Sequence, residues 1–188
     1  MRPSFEAMKK YFSDKKVVGI EVGTSAGINA IGVLFEWKNL ERLDCVDCYL
    51  VYPEYIDFTD GVDQTLLRNI CIANFVEEPR AHLTISTSIE GAKKFKDASV
   101  DFVYIDANHA YKYVKEDIVA WLPKIKKGGV IAGHDWDWKD KQKDNELAVK
   151  KAVEEVFDRD KVHYYIDVYE VNKKEKQAKI DSDWWVFL

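Results

Sequence analysis

Val17-Val18-Gly19-Ile20-Glu21-Val22-Gly23-Thr24-Ser25-Ala26-Gly27 sets the reading of this chain. A β-branched run comes first, from Val17 to Val22. A glycine-punctuated turn follows and opens a helical stretch from about Ala26 to Phe35. Strand, glycine turn and helix in that order make the first half of a parallel crossover unit. Gly23 lets the chain turn sharply, and Gly27 lets the helix pack close to the strand. The N–H groups of the loop, Thr24 and Ser25 included, and the helix N-terminus then face a ligand. The spacing is G-x-x-x-G, with Ser25 where a tighter pattern has a middle glycine. A pyrophosphate wants the closer approach of G-x-G-x-x-G, so this loop suits a nucleoside that carries an amino acid. Glu21, an acid at the end of an apolar strand, is costly there unless it faces a polar ligand.

Outward from that unit, short apolar runs keep alternating with helical periodicity. Residues 3–12 read as an opening helix. Strands are expected at Arg42 to Asp47, His82 to Ser86, Asp101 to Asp106 and Val130 to Gly133. Helices are expected from about Val62 to Phe75 (apolar at Leu66, Leu67, Ile70, Ile72 and Ala73), near Ile89 to Phe95, from Tyr111 to Trp121 and from Asn145 to Phe157. Asp101 to Asp106 is nearly all apolar between acidic ends, as a strand buried on both faces should be. Val162 to Val171 and Trp184 to Leu188 have no helix between them, only a polar tip with Lys173, Lys174, Glu175 and Lys176, so they read as an antiparallel pair closing the sheet. The expectation is one α/β domain over 1–188: a doubly wound sheet of about seven strands, mostly parallel, with an antiparallel C-terminal strand.

Bulk properties narrow the function. The 188 residues suffice for one α/β domain, and a net charge of −5 argues against a nucleic-acid partner. No apolar run approaches a membrane span and the N-terminus has no signal-peptide core, so a cytoplasmic location is expected. Three cysteines suit a reducing compartment. Cys45 and Cys48 form a C-x-x-C, but it lies in and just after a strand-like run and lacks a second ligand pair, so buried thiols are favoured over a redox or zinc motif.

Chemistry-bearing residues collect at the carboxyl ends of the expected strands, where open α/β sheets bind ligands. Asp47, 20 residues beyond Gly27 at the end of strand two, is placed to accept hydrogen bonds from a ribose diol. Asp44 competes, but lies mid-strand. Strand four ends in Asp106-Ala107-Asn108-His109 and strand five in His134-Asp135. Asp106, His134 and Asp135 are placed to ligate a divalent cation through oxygen and nitrogen, with His109 one loop turn away as a general base.

The block from Ser99 through Asp106, His109 and Asp117, then Trp121 to His134-Asp135, closely resembles the methyltransferase 24 family of class I methyltransferases, which is similar to catechol and antibiotic-sugar O-methyltransferases. The resemblance runs from about Val17 to Val186 and implies a Rossmann-like domain using S-adenosylmethionine. It implies Glu21, Gly23, Ser25 and Gly27 as the cofactor loop and Asp47 as the ribose acid. Thr87 departs from the aspartate usual near the adenine, which leaves Ser88 as the adenine contact. Asp106 matches the first metal ligand of the metal-dependent members, for Mg2+ or another divalent cation. His134-Asp135 stands where those members carry acid–amide or acid–acid pairs, and His109 stands where the catechol-type enzymes carry a catalytic lysine.

The expected reaction is O-methylation of a small-molecule or sugar hydroxyl, with a divalent ion at Asp106 and Asp135 lowering the hydroxyl's pKa and His109 accepting the proton. Two readings compete: a non-methyl-transferring relative of the cephalosporin hydroxylase type, and a catalytically silent nucleoside-binding module. Two irregular segments are candidates to wall the crevice. One is Tyr49 to Gly61, with Tyr49, Tyr52, Tyr55 and Phe58; the other is Trp136 to Asn145, with Trp136 and Trp138. Hydrophobic plugging of the loops is the alternative for both. Trp184 and Trp185 read as core and sheet edge. A partner subunit, in a homodimer, is the expected source of any further capping.

Overall fold

Val100–Ile105 is the middle strand of a seven-stranded sheet, and its side chains alternate between two hydrophobic cores. The computed structural model describes residues 1–51, 62–140, 146–172 and 177–188. Tyr52, Tyr55, Phe58, Asn145 and the tip residues Lys173 to Lys176 lie outside them.

In chain order the described elements begin with α1 (Pro3–Phe12), β1 (Val17–Val22), α2 (Ile28–Glu36) and β2 (Leu40–Asp47). Next come α3 (Gln64–Phe75), β3 (Ala81–Ile85), α4 (Ser88–Ala92), β4 (Val100–Ile105), α5 (Tyr111–Trp121) and β5 (Ile125–His134). A two-residue ribbon, β6 (Lys139–Asp140) with β7 (Glu146–Leu147), precedes α6 (Ala148–Val156), β8 (His163–Asn172) and β9 (Gln177–Phe187).

The strand order is β3-β2-β1-β4-β5-β9-β8. β1 to β5 pair in parallel, whereas β9 runs antiparallel to both β5 and β8. Phe102 and Tyr104 face one core with Phe5 and Met8 of α1 and Val33 and Leu34 of α2. Val103 and Ile105 face the other, with Val114, Ile118 and Trp121 of α5 and Val149 and Val153 of α6. A strand segment buried on both faces needs apolar residues at every position, which explains the run from Phe102 to Ile105.

This order places a topological switch point between β1 and β4. The chain leaves β1 toward α2 on one face and leaves β4 toward α5 on the other, so a crevice opens at their carboxyl ends. Two expectations change in detail. The apolar stripe of α3 is largely exposed, with Leu66 56% and Ile72 46% exposed and Cys71 its buried residue. This helix flanks the edge strand β3 and has little sheet beneath it. The C-terminal strand is also longer than its apolar end suggested, because paired backbone carries polar Asp181, Ser182 and Asp183 into the sheet. Among the described residues, no helix is long and apolar enough to cross a membrane.

Candidate functional site

Gly23 sits at φ +86°, and a side chain there would place its Cβ 2.1 Å from the Asp106 carbonyl oxygen. Gly23 N donates to Val46 O at 2.8 Å and Asp106 N donates to Val22 O at 2.7 Å. The glycine loop therefore lies directly on the end of β4, and only glycine permits both the turn and the approach. Gly27, at φ +75°, caps α2, but it approaches Phe75 and Cys71 of α3. Its close approach is thus to a neighbouring helix, not to the strand as the sequence suggested.

Glu21 is enclosed, at 1% exposure, and it organises the loop from within. Thr24 Oγ1 donates to its Oε2 at 2.6 Å and Asn29 Nδ2 to its Oε1 at 2.6 Å. Burial pushes its carboxyl up to about 7, against the pull of those two hydrogen bonds. Asp47 clamps the far side of the loop: Oδ2 accepts from Ser25 N and Oδ1 from Tyr49 N, each at 2.9 Å. Ser25 and Tyr49 both hold positive φ, and Tyr49 Oη donates to Ser25 O at 2.8 Å. A carboxylate has lone pairs beyond two such bonds, so Asp47 keeps capacity for a diol. Ser88 begins α4, with its hydroxyl accepting from Trp121 Nε1 at 2.8 Å. Behind it lies Asp117, whose carboxyl burial pushes up to about 7 while a hydrogen bond from Ser88 pulls it down.

Asp106, His109, His134 and Asp135 converge at the ends of β4 and β5. His109 Nε2 is 3.3 Å from Asp106 Oδ1, and His109 Nδ1 is 3.3 Å from Asp135 Oδ2. His134 Nδ1 lies 3.4 Å from Asp106 Oδ1 and 3.2 Å from Asp135 Oδ1. Asp135 has φ +55°, an uncommon conformation for a non-glycine residue, and its N–H is tied to Ser182 O at 2.7 Å. Burial opposes charge on His134, but hydrogen bonds to Asp106 and Asp135 outweigh it and push the imidazole up to about 11. Burial likewise opposes charge on Asp106 and Asp135, and the histidines hold both carboxyls below the usual carboxylate range.

Three residues that the sequence did not point to complete this array. Asp181 Oδ1 is 2.8 Å from His134 Nε2. Arg2 reaches in from the start of α1, 3.5 Å from Asp106, 3.3 Å from Asp181 and 3.8 Å from Asp183. Asp183 is fully buried and accepts from Ser4 N at 3.1 Å, Ser4 Oγ at 2.5 Å and Tyr104 Oη at 3.1 Å. The signal was the pair of acids, Asp181 and Asp183, directly before the apolar end of the chain, Trp184 to Leu188. A cleft of about 520 Å³ opens beside Arg2 and Asp181, with Ile28, Asn29 and Tyr165 among its lining. Trp136 is a plug, 3% exposed and stacked on Tyr164 at 5.1 Å, whereas Trp138 lies 6.1 Å from the His109 ring. Cys45 and Cys71 are buried thiols and Cys48 is half-buried, none of them in a disulfide.

A family model described as a methyltransferase domain matches residues 20–136, well over half of the chain and spanning every strand end just described. The chain belongs to the methyltransferase 24 family. Its sheet is the Rossmann-like α/β fold of the class I methyltransferases, with β9 as the antiparallel strand. Among solved structures, this methyltransferase 24 chain is similar to a Staphylococcus aureus protein assigned as a caffeoyl-CoA O-methyltransferase (TM-score 0.64, 11% identity, covering 100% of this chain and 84% of that one). It is also similar to spermidine synthase from Thermotoga maritima (TM-score 0.60, 15% identity), covering 97% of this chain and 59% of that one. Such identities speak for the fold alone. A curated relative, uncharacterized protein y4gI of Sinorhizobium fredii, is 34% identical over 55 residues, which is 29% of this chain and 6% of that protein. The chain thus spans a small fraction of that relative and under two thirds of the synthase.

Proposed function

We propose that this chain transfers the methyl group of S-adenosylmethionine to a hydroxyl oxygen of a small molecule or sugar. One observation carries the reading: the glycine loop rests on the Asp106 backbone, so a cofactor held by the loop lies against the Asp106–His109–His134–Asp135 array. Family membership supports the donor. Asp47 is placed for the ribose and the start of α4 at Ser88 for the adenine. The cleft beside Arg2 and Asp181 offers the acceptor a way in.

His109 is the proton acceptor in this scheme. Each of its ring nitrogens faces a carboxylate oxygen at 3.3 Å, so a proton gained from the substrate hydroxyl is stabilised on either side. Both contacts are longer than the roughly 2.7–2.9 Å of a closed charge-assisted bond, and a hydroxyl placed against the imidazole competes with them. The His134 imidazolium and Arg2 supply fixed positive charge beside the developing alkoxide. Holding donor and acceptor in line supplies much of the acceleration.

Magnesium takes oxygen ligands in a near-octahedral shell. Here one of the three expected ligands, His134, is an imidazole held among carboxylates, and Arg2 already neutralises Asp106. That donor set does not suit magnesium, and proton transfer in this scheme runs through His109. The test is transfer of isotopically labelled methyl to a panel of diols and sugars. Label in the acceptor, lost in both His109→Ala and Asp135→Ala while cofactor binding persists, is the expected result. Unchanged turnover in both variants refutes the scheme, and binding without transfer to any acceptor points to a silent nucleoside-binding module.

A further inference from the structure

The edge of the sheet at β8 is unguarded. β8 is the last strand in the order β3-β2-β1-β4-β5-β9-β8, and among the described residues no strand pairs with its far side. Strand edges left in water are commonly protected by lysine, proline or a bulge. His163 to Val168 has none of these, and its ladder to β9 is regular. Tyr164, Tyr165, Ile166 and Val168 are between 42% and 60% exposed. The backbone there is open as well. Asp135 N donates to Ser182 O and Leu188 N to Gly129 O, so the even-numbered residues of β9 bond to β5. Asp181, Asp183 and Trp185 therefore bond to β8, opposite Asp167, Tyr165 and His163. The same alternation leaves the N–H and C=O groups of Tyr164, Ile166 and Val168 directed outward. The opposite edge strand, β3, is only five residues long, and its Ala81 N already donates to Glu78 O.

We infer that β8 is the docking surface for a second copy of this chain, paired antiparallel about a two-fold axis at Ile166. In that register Ile166 meets Ile166 of the partner subunit and Tyr164 meets Val168 of the partner subunit, so each outward N–H finds a carbonyl. Tyr164, Ile166 and Val168 share one face of the strand, where Tyr164 already stacks on Trp136 at 5.1 Å, and the two copies join these into one apolar strip. On the other face Asp167 stands opposite the partner subunit's Tyr165, a hydroxyl donor beside a carboxylate, so no like charges oppose each other. Tyr165 and Asp167 both line the cleft beside Arg2, so each copy walls the other's cleft. Area sets the strength. A large side chain exposes about 150–250 Å² in full, so these four hold roughly 400 Å², and two copies bury roughly 800 Å² before the backbone is counted. With the backbone the contact reaches the lower end of specific interfaces, about 1,200 Å², which corresponds to a reversible dimer of roughly micromolar dissociation constant. A two-fold contact closes at two copies. The pairing does not depend on the proposed reaction.

The test is sedimentation velocity of the full chain from about 1 to 200 µM, a range that brackets the expected dissociation constant. A monomer–dimer equilibrium is expected. Ile166→Lys sets two ammonium groups against each other at the axis and should raise the dissociation constant at least about 100-fold, whereas Leu66→Lys, on exposed α3 beside the opposite edge, should leave it unchanged. Urea unfolding of both variants, with the midpoint of the monomeric parent, checks that each is folded. Register is tested by oxidation: Ile166→Cys should give a covalent dimer on a non-reducing gel, because opposed Cα atoms lie about 5.5 Å apart, and Tyr165→Cys should not, because its own copy is offset along the strand. The inference is overturned if the parent is a monomer throughout, if it grows into species larger than a dimer, or if Ile166→Lys associates like the parent. Loss of the dimer in Leu66→Lys alone would place the contact at the other edge and overturn it too. A dimer with these responses in a chain that never transfers labelled methyl supports the docking surface and refutes only the reaction.

Discussion

Replacing Glu21 by glutamine removes an ionisable group from inside the glycine loop while keeping its shape. The carboxyl is 1% exposed and accepts from Thr24 and Asn29 at 2.6 Å each. Burial lifts it from an ordinary 4.5 to about 7. At about 1.4 kcal/mol per unit, that rise corresponds to roughly 3 kcal/mol between the two protonation states. The sign follows from where the proton is held more tightly. The folded value lies above the unfolded one, so the contribution of this group is full below pH 4.5, falls as pH rises, and is gone above about 7. Glutamine carries no charge at any of these pH values and can accept from Asn29 while donating to the Thr24 hydroxyl. Urea unfolding of both proteins without cofactor, followed by tryptophan fluorescence from pH 4.5 to 8, measures the difference. The variant should gain on the parent by about 2–3 kcal/mol across that range, with most of the gain complete by pH 7. Parallel stability curves, or a parent that gains on the variant as pH rises, would show that Glu21 is not held protonated inside the loop.

Two further substitutions probe the frame around the site. Gly23→Ala drives a Cβ to within 2.1 Å of the Asp106 carbonyl at a positive φ. Calorimetry should show S-adenosylmethionine affinity falling at least about tenfold, with about 1–3 kcal/mol lost from stability by urea unfolding. Unchanged affinity would mean that the loop does not seat the cofactor. Asp183→Ala leaves Ser4 N, Ser4 Oγ and the Tyr104 hydroxyl without their acceptor in a buried place. Thermal and urea unfolding should register about 2–5 kcal/mol of destabilisation, and a loss under about 1 kcal/mol would remove Asp183 as the tie between α1 and β9.

The strand–helix alternation was legible because burial on both faces leaves β4 apolar from Phe102 to Ile105, and Tyr111–Trp121 matches its expected bounds because its apolar residues recur at helical spacing. The strand ends were legible too, since an acid or histidine directly after an apolar run marks where a strand leaves the core for the crevice: Asp106, His109, His134 and Asp135 do meet. What escaped was non-local. Arg2 and Asp181 stand 179 residues apart and become neighbours because β9 inserts between β5 and β8 beside α1. No local pattern encodes that pairing. The α3 stripe misled in the opposite way, because helical periodicity shows that a face is apolar but not how much sheet lies beneath it. Gly27 was read for the right property, close approach, against the wrong neighbour.

Whether the loop hands a methyl donor to the strand-end array is decided by a crystal structure of the chain with S-adenosylhomocysteine. The ribose hydroxyls are expected on Asp47, the ligand backbone along Gly23 to Gly27, and the sulfur facing the gap between Asp106 and His109. A ligand bound elsewhere, or a sulfur directed away from those two residues, would contradict the proposed reaction.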